Sequence, residues 1–382
     1  MCWRTSPSDM SLRLSLLQTT DNQAISMTSP NETIRCYSGA ELADFIQRVL
    51  VASGFSSDNA RTIADLMAEA DVNGSDGHGI FRLPAYVKRI RAGGLNVDPH
   101  IRVETEKDAM ALVDGDNTQG HLVMKFCTEL AIAKARKSGV AWVGCHHSNH
   151  AGPASLYARM PLAHNMIGLY VAVGNANHLP PWGGTDMLLS TNPIAIAVPA
   201  FEENPIILDM ATTVAAYGKV KTAAQRGETM PEGWMVDRNG DPLTDPNKAE
   251  DGFLLPIGGP KGYGLALMFG LLAGTLNGAA FGKNVVDFNK DFKTTTNTGQ
   301  FIVAIDIAAF ADVETFKHNV DNVIRTMKAS PTMPGVNDIL LPGERSHGIR
   351  EDRQKNGVPM PDGLLRSLEE LARETGVAGL GK

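Results

Sequence analysis

Cysteine is scarce in this sequence: there are four, Cys2, Cys36, Cys127 and Cys145, and none sits in a C-x-x-C pair. That is too few and too scattered for a disulfide framework, so reduced thiols in a cytoplasmic enzyme are the expectation. Long apolar runs are missing too. The richest, Leu265 to Leu276, falls short of the roughly 20 residues a membrane span needs and reads as a buried helix. Positive charge is not in excess: the formal net charge of -7 argues against a nucleic-acid partner. A local group of Arg, Lys and His can still draw an anionic substrate. Finally, no strand-like segment leads into G-x-G-x-x-G and no Walker loop is present, which excludes the usual nucleotide-binding turns.

What is there is an ordinary globular composition, 43% hydrophobic and 20% charged over 382 residues, long enough for two domains. Residues 1–30 read as a disordered extension: the first 26 are rich in Ser, Thr and Asn, and Arg13 interrupts their one apolar patch. Met27 is a candidate start. Helical signals begin at Ser38, which with Glu41 has capping-box spacing ahead of Leu42, Phe45, Ile46, Val49 and Leu50. Further helices are predicted over 58–70 and around Tyr86, Val87 and Ile90. From Ala111 the pattern alternates: strands at 111–113, 140–143, 167–173, 193–198, 206–208 and 301–307, with helices at 122–135, from Pro153, and at 264–276. Residues 225–248 read as a polar excursion. Helices at 313–327 and 364–375 close the chain.

Five clusters can carry chemistry. In Gly77-His78-Gly79-Ile80-Phe81-Arg82, an imidazole suits proton transfer and a guanidinium suits bidentate capture of a carboxylate. Alone, such a segment is more often a glycine turn with a surface Arg. In His146-His147-Ser148-Asn149-His150, followed by Pro153, His150 falls near a predicted helix start, whose dipole favours the neutral base. His146 and His147 read as hydrogen-bonded structural groups. Asp209, at the end of an apolar strand in Leu208-Asp209-Met210-Ala211-Thr212-Thr213, can orient an imidazole or simply serve as a turn residue. Gly258 to Gly264 opens a helix with Lys261 and offers free amides for a phosphate. Leu341-Pro342-Gly343-Glu344-Arg345 offers an Arg for a phosphate and a Glu for a ribose hydroxyl, and otherwise reads as a surface turn.

Taken together and in this order, these stretches, with Pro180 to Pro193 (PPWGGTDMLLSTNP), resemble the malate/L-lactate dehydrogenase family. That family includes sulfolactate, ureidoglycolate and diketogulonate dehydrogenases and piperideine-2-carboxylate reductases. The likeness runs from about Ser38 to about Gly357. Asp209 to Lys219, with Trp234 to Asp237 and Asp245-Pro246, is most similar to the ureidoglycolate dehydrogenases.

The resemblance implies an α/β (α+β) chain with a non-Rossmann cofactor domain on a largely antiparallel sheet, expected over 113–307. A mainly helical domain is expected from 31–112 and 308–382. It also implies NAD or NADP as cofactor and a homodimer with a shared active site. By position, His150 matches the acid/base, His78 a second histidine assigned as proton donor, and Arg82 the holder of the substrate carboxylate. Asp209, Met210, Ala211, Thr212, Thr213, Lys261, Gly343, Glu344 and Arg345 match cofactor contacts. Asn175 is placed with them, and His178 with the substrate pocket.

One position departs from the pattern. Where many members carry a serine beside the first histidine, this chain has Gly77, which supplies no hydroxyl; Asp76 is the neighbouring acid. The acid/base role therefore moves to His150, with Asp209 as its orienting group. The expected reaction is hydride transfer at the alpha carbon of a small 2-hydroxy or 2-oxo acid. No metal is expected in it. The rival is a metal-dependent hydrolase built on His146, His147 and His150.

Overall fold

The computed structural model describes residues 35–381; the extension expected over 1–30 lies outside them. The first elements form as the pattern predicts. Strand β1 (Arg35–Tyr37) leads into helix α1 (Gly39–Ala52), whose N-cap Ser38 and Glu41 form the full capping box. Helix α2 (Ser57–Val72) follows, capped by Ser56. A 3-10 turn at Ile80–Arg82 opens helix α3 (Leu83–Arg91), with Pro84 in its first turn, where no amide is needed.

Next come β2 (Arg102–Lys107), β3 (Met110–Asp114), α4 (Gly120–Ser138), β4 (Val140–Ser148), the single-turn α5 (Ser155–Arg159) and β5 (Met166–Ala172). A small pair, β6 (Asn177–Leu179) and β7 (Leu189–Ser190), precedes β8 (Ile194–Val198), β9 (Ile206–Met210) and α6 (Tyr217–Arg226). The polar excursion of 225–248 contains β10 (Met235–Asp237), which pairs with β11 (Gly252–Leu254) just beyond it. Then α7 (Pro260–Ala273), β12 (Thr298–Asp306), α8 (Val313–Lys328), α9 (Glu344–Asn356), β13 (Val358–Met360) and α10 (Asp362–Thr375) complete the fold.

Seven strands form one sheet in the order β2-β3-β4-β12-β5-β8-β9. Every neighbouring pair is antiparallel except β3 and β4, which are parallel and joined through α4. This is the largely antiparallel sheet that the family likeness implied. Both faces are covered. Tyr170, Ala172, Ile302 and Ala304 pack with α4 and α5 on one side, while Val171, Val173, Phe301 and Val303 meet α7 on the other. Double burial explains why β5 and β12 read as unbroken apolar runs. Burying each of these large side chains contributes about 1.5–3 kcal/mol.

A second core lies among α1, α2, α3 and α10, closed by β1 pairing with β13. Both ends of the described chain therefore meet in a helical layer. α2 joins the two cores, since Ile63 and Met67 face the helices while Ala70 packs into the sheet cluster. Among the described residues, no helix is long and apolar enough to cross a membrane.

Candidate active site

The site starts in the turn before α3. His78 N–H bonds Ser75 O at 2.8 Å and Arg82 N–H bonds Gly79 O at 2.9 Å. Gly79 is required here, because a Cβ would fall 2.0 Å from Asp71 Oδ1. Asp71, buried in α2, accepts the Ile80 N–H at 2.8 Å. Burial pushes its carboxyl well above the usual range. Asp76, the acid beside Gly77, is committed elsewhere: both its oxygens take hydrogen bonds from Arg353.

Arg82 Nε donates to Gly77 O at 2.7 Å, and Nη1 reaches Asn289 Oδ1 at 3.3 Å. Its guanidinium carbon lies 5.4 Å from the Phe288 ring centre. Among the described residues no carboxylate pairs with it, so its charge is available to an acid from outside. The His150 ring also stacks on Phe288, at 5.2 Å and 7°. His78 stacks on His150 at 5.6 Å and 13°. His78, Arg82 and His150 therefore converge, as the sequence reading requires.

Three partners lay outside that reading: Tyr86, Gln119 and His121. Tyr86 Oη is 2.6 Å from His150 Nδ1. Gln119 Nε2 donates to His150 O at 3.1 Å and lies 3.1 Å from His121 Nδ1. These contacts order the protons. A carbonyl only accepts, so Gln119 presents its NH2 to His150 O and to His121 Nδ1. Gly152 N–H donates to His150 Nδ1 at 3.3 Å, so Nδ1 is an acceptor, and the Tyr86 hydroxyl at 2.6 Å donates to it as well.

Burial, then the Arg82 charge, then His78 and His121, hold the His150 imidazole well below its ordinary range. Burial and Arg82 bring His78 to about 4. Burial and His78 bring His121 to about 3. The cluster is thus neutral at pH 7. The cause differs from the helix dipole expected from sequence, because α5 starts only at Ser155 and is five residues long.

Asp209 goes elsewhere. Its Oδ2 accepts the Ser155 N–H at 2.9 Å, fixing the start of α5, and Tyr86 takes the position against His150 Nδ1. Met210 to Thr213 lie at and just beyond the end of β9. Thr212 bonds Thr191 O through both its N–H and its hydroxyl, and accepts Ile257 N–H at 3.0 Å. Met210 and Ala211 lie between it and Asp209, and Thr213 bridges Pro256. The loop so held runs to Gly258 and Gly259, both with positive φ, and starts α7 with an exposed Lys261.

Pro342 O accepts the Ile207 N–H at 2.9 Å, bringing Gly343 against β9. Gly343, at φ +97°, is the N-cap of α9, so this stretch opens a helix. Glu344 pairs with Lys328 at 2.9 Å; Arg345 is exposed in the same first turn. Asn175 bonds Thr298 Oγ1 at 2.5 Å, and its carbonyl receives Phe288 N–H at 3.1 Å. His178 stacks on Tyr217 at 4.1 Å, and burial lowers its imidazole to about 4.

His146 and His147 turn away from His150. His146 pairs with Glu104 at 2.8 Å and His147 with Asp114 at 3.0 Å. Among the described residues, the one group with metal-ligand spacing is Asp114, His146 and His147, without His150. The three-histidine hydrolase centre does not form.

Comparison with known proteins matches residues 37–369 to the model of malate/L-lactate dehydrogenase. The chain is 38% identical to malate/(S)-sulfolactate dehydrogenase of Methanothermus fervidus, covering 88% of this chain and 97% of that protein. It is 33% identical to the NAD(+) ureidoglycolate dehydrogenase of Escherichia coli K12, covering 86% and 93%. Its fold is similar to that of sulfolactate dehydrogenase from Methanocaldococcus jannaschii, with a TM-score of 0.84, 35% identity, and 90% and 98% coverage. A neutral imidazole beside a guanidinium with no carboxylate partner among the described residues therefore belongs, in this chain, to an oxidoreductase. The chain is a member of the malate/L-lactate dehydrogenase family.

Proposed function

We propose that the protein moves a hydride between the nicotinamide of NAD or NADP and the alpha carbon of a small 2-hydroxy or 2-oxo acid. The relatives carry names for malate, sulfolactate, ureidoglycolate and cyclic imino acids, which defines the panel to test. The observation that carries the reading is the convergence of Arg82, His78 and His150 around Phe288, with His150 kept neutral.

The residues present fit a dinucleotide. Gly258 has open space where a side chain would stand, and Gly259 meets only the Trp182 ring. Their backbone leads into the unpaired first-turn amides of α7, a ready seat for phosphate. Asn175, Asp209 to Thr213, Lys261 and Gly343 to Arg345 are the residues we assign to hold the cofactor, within a unit spanning 113–307. The helical unit of 31–112 and 308–382 supplies Arg82 and His78. Bound nicotinamide supplies the hydride acceptor or donor.

Arg82 holds the substrate carboxylate, with Phe288 and Phe81 flanking the guanidinium and limiting water. His150 takes the hydroxyl proton in oxidation, and the imidazolium so formed returns it in reduction. Tyr86 keeps Nδ1 oriented. His178 and Tyr217 form a wall of the side-chain pocket. A homodimer with a shared site belongs to the same proposal, and α7 leaves Leu265 and Met268 exposed for such a contact.

The test is nicotinamide absorbance with 2-oxo acids, cyclic imino acids and ureidoglycolate, using both cofactors. His150→Ala is expected to lower turnover by about 10²–10⁴-fold. Wild-type turnover in that variant refutes the assignment.

A further inference from the structure

The end of β4 contains an irregularity that the reaction does not use. Cys145 pairs with Gln300 and Ser148 with Thr298, so His146 and His147 together face the single residue Gly299 of β12. This is a β-bulge. His147 takes φ +48°, uncommon for a residue other than glycine or asparagine. A regular strand sends neighbouring side chains to opposite faces; a bulge re-aims them. Here the two adjacent imidazoles stack on each other, with ring centres 4.3 Å apart and 26° between planes.

The backbone around them is tied down. His147 N–H donates to Asn297 Oδ1 at 2.7 Å, and the carbonyls of His146 and His147 accept from Gly115 and Asn117. Asp114 is the parallel partner of His146 across β3 and β4, with its carboxylate buried and against His147 Nδ1 at 3.0 Å. Glu104, from β2, meets His146 Nε2 at 2.8 Å. One ligand atom from each of Asp114, His146 and His147 lies within 4.8 Å of the others.

The structure assigns to Asp114, His146 and His147 a site for a first-row divalent transition-metal ion of the zinc type. Two imidazoles and a carboxylate are the donor set such ions prefer over magnesium or calcium. Charge agrees with it. Two carboxylates, Asp114 and Glu104, stand against one guanidinium, Arg102, which bonds Asp114 and lies 3.8 Å from Glu104. One negative charge remains to attract a dication. His147 is half exposed, which opens a path to solvent. The ion ties β3 to β4 at the turn that leads on to His150, and it takes no part in the reaction.

The experiment uses the full chain, stripped with chelator and titrated with zinc sulfate by calorimetry and thermal unfolding. One zinc per chain and a melting temperature raised by a few degrees are expected. His147→Asn keeps a residue that accepts positive φ but removes the ligand, so the metal-free melting temperature should stay within about 2 °C while zinc binding is lost. Glu104→Gln should weaken binding about tenfold. Absence of stoichiometric zinc on the wild-type chain overturns the assignment, as does undiminished binding in His147→Asn.

Discussion

His121 should make the protein sensitive to acid, and the effect can be isolated. The side chain is fully buried at the start of α4, and its Nε2 has no hydrogen-bond partner among the described residues. Burial, then the neighbouring His78, lower its imidazole from an ordinary 6.5 to about 3. Between those values the unfolded chain binds a proton that the folded chain refuses. The stability this group allows is therefore complete above 6.5 and lost as the pH falls. From 6.5 down to about pH 5 the loss amounts to about 2 kcal/mol for this one group. His78 and His150 act with the same sign, and Asp71, whose carboxyl is raised by burial, with the opposite one. All three remain in His121→Asn, whose side-chain oxygen can still accept the Gln119 NH2. Urea unfolding of both proteins at about pH 7.5 and about pH 5 should show the variant losing about 2 kcal/mol less. Equal losses in the two proteins would mean that His121 is not held neutral.

Further outcomes follow from the same contacts. Tyr86→Phe removes the 2.6 Å bond to His150 and should lower kcat by about ten- to a hundredfold with a smaller change in KM, as losing a buried hydrogen bond of about 1–3 kcal/mol implies. Unchanged kcat would show that Tyr86 does not orient the base. Gly77→Ser meets no atom within 4 Å at its new Cβ, so stability should stay within about 0.5 kcal/mol. Turnover in that variant should change by less than about tenfold; a larger rise would return the proton transfer to His78. Gly343→Ala forces a side chain onto φ +97° and brings it to 3.1 Å from Ile207, at a cost of about 1–2 kcal/mol. Cofactor affinity, followed by fluorescence titration, should weaken with it, and unaltered affinity would remove α9 from the cofactor site.

The helices around the first core were legible because their apolar spacing is clean, with Leu42, Phe45, Ile46 and Val49 all fully buried. β2 was not, since Arg102 to Lys107 lies at the sheet edge and most of its side chains face solvent, so no alternation survives. α9 was hidden for a related reason. Its sequence is polar all round, and it docks through ions, with Arg350 against Glu69 and Arg353 against Asp76. At the site, Arg82, His78 and His150 announced themselves through chemistry-bearing residue types. Tyr86 had a signal that was read otherwise: it lies four residues after Arg82, at helical spacing, but served only to mark a helix. Phe288 and Asn289 had none. They arrive on a loop tethered in part by Arg89, a buried guanidinium bonded to Asp291 O at 2.7 Å and Thr294 O at 3.0 Å.

That tether has a consequence for how the enzyme comes into being. A ribosome that has released the first half of the chain exposes the histidines and the arginine with nothing over them. The aromatic ring that packs against Arg82 and His150 is encoded more than a hundred residues beyond His150. Competence therefore waits on the 288–294 loop, and a fragment that ends before Phe288 lacks it.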